Sequence, residues 1–137
     1  MKVYTSYFSN AKRLGANGIE IVGIALYPPK WFTGVSIKSL APSYSIFKYS
    51  STQEEYIARF KSEILSKLDA KSTYERIKSF SNGKDVALCC FETPHEFCHR
   101  HLVAEWLNNE LGLQIEEFNP GHKIAEKPAT IESPTLF

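Results

Sequence analysis

Thiols, imidazoles, carboxylates and a guanidinium crowd into one short run, Cys89–His101, CCFETPHEFCHRH. Cys98-His99-Arg100 falls in the expected first turn of a helix, where unpaired backbone N–H groups and the positive end of the helix dipole favour an anion. Arg100 adds a planar fork of donors suited to phosphate or carboxylate. The same field favours the thiolate of Cys98, which makes it the candidate nucleophile, with His99 beside it for acid–base work. Glu92 directly follows a strand, and a carboxylate there could orient His99, accept a substrate hydroxyl or act as a general base. The plain structural alternative is a small buried thiol, a histidine bonded to a backbone carbonyl, an arginine on the solvent face and a glutamate bonding turn amides. Cys89 and Cys90 point to opposite faces of their strand, and both read as core.

His95-Glu96-Phe97-Cys98-His99 formally matches the zinc-protease pattern HExxH. That chemistry needs both histidines on one helix face and a later third ligand, for which Glu116, Glu117 or His122 could be nominated. Pro94 instead places His95 at or before the helix start, unless Thr93 is the N-cap and Pro94 the first helical residue. The remaining Cys and His spacings fit no common zinc ligand pair, so no metal ligand is assigned and no cofactor is named. No Walker loop, Gly-rich dinucleotide fingerprint or phosphatase-type cysteine loop is present. Elsewhere, Trp31 in YPPKWF stands beside Lys30, a pairing able to stack a base and contact a phosphate. Trp31 and Phe32 equally suit a cap over the end of the core.

The elements that must position these residues follow from periodicity. Val3–Phe8 and Ile19–Leu26 read as strands, the second apolar on both faces as a covered parallel strand is. Tyr27–Tyr49, with Pro28, Pro29, Gly34 and Pro42, reads as a long structured loop. Ser51 with Glu54, or Thr52 with Glu55, forms a capping box, and Tyr56, Ile57, Phe60, Ile64 and Leu68 then recur at helical spacing. This predicts a helix over 54–68. A shorter helix is predicted over 73–80, a buried strand over 85–91, a helix over 96–111 capped by Gly112, and a last strand over 113–118. Residues 119–137 show no period and are expected to form a weakly ordered tail.

Strands alternating with helices predict an α/β fold: one three-layer domain over residues 1–118, with a small, mostly parallel sheet flanked by helices. Ligands bind such sheets beyond the carboxyl ends of the strands, where Tyr27–Gly34 and Glu92–Arg100 are expected to face each other across one crevice. The chain has 137 residues, 43% of them hydrophobic, which suffices for one buried core. Its 16 basic and 15 acidic side chains leave +1, so no global field points to nucleic acid or an anionic membrane, and any anion site is local. Three cysteines make an odd set for a disulfide framework, and neither a signal peptide nor a membrane-length apolar run is visible. A reducing cytoplasm is the expected setting.

The run VALCCFETPHEFCHRHLVAEWL, with YTSYF, ALYPPKWF, LAPSY and ILSKLD, resembles the bacterial and phage family called domain of unknown function 488, over about residues 1–118. The most specific element is the cysteine-bearing strand, then Glu92, then Cys98-His99-Arg100. The resemblance implies a small α/β domain with those residues at its site, and no established activity. Many members carry a glycine and an acidic residue where His95 and Glu96 stand, which makes the HExxH match particular to this chain. Many also carry Asp-x-Arg at the end of the second strand, where Ile24-Ala25-Leu26 stands here, and that loss shifts weight to Lys30 and Arg100.

The expected function is binding, with processing as a further step, of a phosphate-bearing ligand such as a nucleotide or a nucleic-acid end. Arg100 and the helix N-terminus would hold the anion, Lys30 and Trp31 the second charge and the base, and Glu92, Cys98 and His99 any acid–base or nucleophilic role. A non-catalytic module that sequesters a nucleotide signal or blocks a host partner is the second reading, and a zinc hydrolase acting through HEFCH the third.

Overall fold

A computed structural model describes residues 1–91 and 98–119. Five strands, β1 (Val3–Tyr7), β2 (Ile19–Gly23), β3 (Val35–Ser36), β4 (Asp85–Cys90) and β5 (Glu116–Glu117), form one sheet in the order β3-β2-β4-β1-β5. Every neighbouring pair is parallel. The fold is therefore α/β. The central strand β4, DVALCC, is buried from Val86 to Cys90, the near-continuous apolar run that a strand covered on both faces requires.

Helices α1 (Ala11–Ala16), α2 (Tyr44–Tyr49), α3 (Gln53–Arg59), α4 (Ala70–Ser79) and α5 (His99–Leu111) lie in the connections. The connection through α1 steps one way across the sheet, from β1 to β2, and the one through α5 steps the other way, from β4 to β5. Right-handed crossovers therefore set α1 and α5 on opposite faces. Residues paired across parallel strands share a face, so Thr5 and Tyr7 of β1, Leu88 and Cys90 of β4 and Glu117 of β5 all lie on the face that α5 covers. Leu102, Val103 and Leu107 of α5 join the core cluster with Val86, Leu88 and Ile77.

Several boundaries differ from those the sequence predicts. The second strand stops at Gly23 rather than Leu26, although Ile24 N still donates to Cys89 O at 2.9 Å. A Cβ at Gly23 would lie 2.9 Å from Ser36 Oγ and 3.2 Å from ring atoms of Phe8 and Phe32, so the missing side chain lets both rings close over the strand end. The supposed loop 27–49 contains β3 and α2, the latter capped by Ser43, whose hydroxyl accepts from Ile46 N. The predicted helix 54–68 starts as α3 behind the Thr52 cap, then changes pitch through a π turn at Phe60–Ile64 and a 3-10 turn at Leu65–Lys67. Helix α4 begins at Ala70, three residues early, because Asp69 accepts from Ser72 N and caps it there. The last strand shrinks to Glu116–Glu117. Gly112 ends α5 with φ 67°, a left-handed cap that suits glycine. No helix among the described residues is long and apolar enough to cross a membrane.

Candidate functional site

The residues that end β4 and begin α5 build two adjoining clusters beyond the carboxyl edge of the sheet. Cys98 is the N-cap of α5 and His99 its first helical residue. Both are buried, at 2% and 4% exposure. His99 Nε2 lies 2.6 Å from the carbonyl oxygen of Ile24, just past β2. A carbonyl only accepts, so Nε2 carries the hydrogen and Nδ1 presents its lone pair. Nδ1 faces Cys98 Sγ at 3.7 Å. Burial pushes the His99 pKa down to about 4, against the pull of the Ile24 carbonyl and with help from the nearby Arg100 charge, so the ring is neutral at pH 7. Phe60, fully buried on the π turn, packs its ring 5.4 Å from that imidazole and fixes its plane.

Cys90, the last residue of β4, is joined to Cys98 by a disulfide, with Cα atoms 7.3 Å apart. This corrects two expectations: Cys90 belongs to the site rather than only to the core, and the cysteines do pair. The cause is topological, since the end of β4 and the start of α5 share one sheet face and one edge. Cys89 points to the other face and is the buried, unbonded core thiol the sequence suggests, with burial pushing its pKa up.

Arg100 is neither on the solvent face nor poised at the helix end. Its side chain is fully buried and its Nε and Nη2 donate to the two carboxylate oxygens of Glu117, at 3.0 and 3.2 Å. Thr5 Oγ1 donates to Glu117 Oε1 at 2.7 Å, Arg100 Nη1 donates to Cys90 Sγ at 3.0 Å, and the Tyr7 ring lies 5.8 Å from the guanidinium. The fork thus holds a carboxylate of the protein itself. Sequence reasoning nominated Glu117 only as a metal ligand. Its pairing with Arg100, across seventeen positions, leaves no local pattern.

A cavity of about 140 Å3 opens beside His99. Four aromatic rings line it, Tyr27 from the segment after β2, Phe47 from α2, Tyr56 from α3 and Phe91 after β4, together with Cys90, His99 and the apolar Ala25, Leu26 and Pro42. The segments after β2 and β4 therefore meet at one cavity. Trp31 is placed beyond it: 58% exposed, its ring packs 6.3 Å from Phe8, which in turn touches Phe91 at 5.5 Å. Lys30 is exposed beside Trp31. Glu92, His95 and Glu96, and with them the predicted start of α5, lie outside the described residues.

An all-parallel sheet with a cavity and a Cys-His pair at its carboxyl edge defines the class: a small α/β domain. The family model described as the active DUF488-N3 subclade matches residues 8–111, and the chain belongs to the domain of unknown function 488 family. No curated protein and no solved structure matches it.

Proposed function

We propose that this protein binds a nucleotide, free or as a nucleic-acid end, with the base in the aromatic cavity, and that the reduced Cys98-His99 pair acts on it there. The observation that carries the reading is the cavity itself: Tyr27, Phe47, Tyr56 and Phe91 surround a space one of whose polar walls is His99. Aromatic rings on several sides suit a planar heterocycle, and each stacked base contributes about 1–3 kcal/mol. Neutral His99, with a bare Nδ1 beside Cys98, is in the state that accepts a proton from a thiol. Exposed Lys30 and Trp31 flank the site on the Phe8 side and supply a charge for phosphate and a ring for a neighbouring base. Arg100 supports the floor through Glu117 and Cys90 rather than touching the ligand. Such a ligand places the protein in the cytoplasm, where nucleotides are abundant.

Calorimetric titration with the four ribonucleoside 5′-monophosphates and with a 5′-phosphorylated oligonucleotide tests this. Tyr56→Ala and Phe47→Ala are each expected to weaken the best binder by tenfold or more, in line with about 1.4 kcal/mol per decade. Unchanged affinity in both variants would sink the reading. The Cys90–Cys98 disulfide favours a second reading, a binding module without catalysis, because a bonded sulfur is no nucleophile. Ligand recovered chemically intact from reduced protein selects that second reading.

A further inference from the structure

We infer that the reduced protein holds one zinc ion between Cys90 Sγ, Cys98 Sγ and His99 Nδ1, with a fourth coordination position open to the aromatic cavity. The three ligand atoms are buried and lie within 4.8 Å of one another. Cys98 Sγ and His99 Nδ1 are 3.7 Å apart. Tetrahedral zinc with Zn–S of about 2.3 Å and Zn–N of about 2.0–2.1 Å sets such a pair roughly 3.6 Å apart. That edge of the site is already formed.

Three further features point the same way. A histidine that ligates a metal usually donates its other ring N–H to a carbonyl or carboxylate, and Ile24 O already takes His99 Nε2–H at 2.6 Å. Arg100 Nη1 lies 3.0 Å from Cys90 Sγ, a charge-assisted contact that stabilises a thiolate. The Cα atoms of Cys90 and Cys98 are 7.3 Å apart, whereas disulfides usually span about 4.4–6.8 Å. An ion between the sulfurs spans a wider gap than a bond does. Two sulfurs and one imidazole select zinc over the hard cations. Cys90 and His99 both line the cavity, so the position left free by three protein ligands faces the space where a ligand would sit. This set shares only His99 with the histidine pair of the HEFCH pattern and does not depend on nucleotide binding; zinc takes up the Cys98 sulfur and the His99 Nδ1 lone pair, so the acid–base role proposed for that pair belongs to the reduced, zinc-free protein.

The disulfide is the metal-free counterpart of this site. Two-electron oxidation by hydrogen peroxide joins the two sulfurs, releases the zinc ion and, with two protons taken up, reduces the peroxide to two waters. Metal content is measured on the full chain purified with a thiol reductant and no chelator. One equivalent of zinc is expected, falling to background after hydrogen peroxide and returning after reduction and added zinc. Cobalt(II) in its place should give a thiolate-to-metal charge-transfer band on the unmodified protein, a readout that survives even if Cys98→Ser fails to fold. Reduced protein without zinc, a cobalt spectrum without the thiolate band, or full zinc retention in Cys98→Ser would each overturn the assignment. Nucleotide affinity plays no part in these measurements, so the two proposals fail separately.

Discussion

His99 and Arg100 are neighbours in sequence, and the surroundings they meet are opposite in kind. Successive residues of a helix point about 100° apart, so His99 turns toward the cavity and Cys98, while Arg100 turns down onto the sheet between Tyr7, Cys90 and Glu117. On the cavity side, a neutral ring turns its unprotonated Nδ1 to the Cys98 sulfur and lines the open space. On the sheet side, a bidentate ion pair is closed over by Thr5. One three-residue motif thus divides into a half that lines the cavity and a half that links α5 to β1, β4 and β5. The face each residue occupies decides which surroundings its side chain meets.

The sheet side should dominate stability. Arg100→Ala leaves the part-buried Glu117 without its guanidinium partner, and since removing one member of a fully buried pair typically loses about 3–5 kcal/mol, a loss of about 3 kcal/mol is expected. Replacing both together, as Arg100→Met with Glu117→Leu, should recover most of that loss in urea unfolding. A single variant as stable as the parent would break the contrast between the two sides.

The histidines should set the acid limit. Burial pushes the pKa values of His99 and His101 down to about 4 from an ordinary 6.5, so the unfolded chain binds more protons than the folded one between those values. Stability of the oxidised protein is therefore full above about pH 6.5 and is lost as the pH falls toward 4. A flat urea midpoint across that window would show that these rings titrate normally. Gly23→Ala forces Phe8, Phe32 and Ser36 outward and should destabilise by about 1–3 kcal/mol, with a matching change in near-ultraviolet circular dichroism from the displaced rings. Thr52→Ala, which removes the cap at Glu55 N, should lose about 1 kcal/mol in urea unfolding.

The parts legible in the sequence are those written locally. Alternation of strands and helices gives the α/β class; the Thr52 and Glu55 pair marks the start of α3, and Gly112 the end of α5. What stayed hidden depends on contacts between distant positions. Cys90 reads as one more apolar residue in DVALCC, and only the meeting of the β4 end with the α5 start makes it a partner of Cys98. Glu117 sits on a two-residue edge strand with an exposed twin, Glu116, so charge pattern could not tell which of them turns inward to Arg100. Ile24-Ala25-Leu26 continues an apolar strand by composition, yet β2 ends at Gly23 and the Ile24 carbonyl bonds the distant His99 instead of a neighbouring strand. The aromatic wall was missed because Phe47 and Tyr56 come from different helices, one of them only six residues long and hidden in a proline-punctuated stretch.

The division of the Cys-His-Arg motif is tested most directly by nuclear magnetic resonance of the reduced protein during titration with the ribonucleoside 5′-monophosphates. Ring signals of His99, Tyr56 and Phe47 should move with the added nucleotide, while the Arg100 Nε–H signal stays in place on Glu117. An Arg100 signal that shifts while the cavity rings do not would contradict the account.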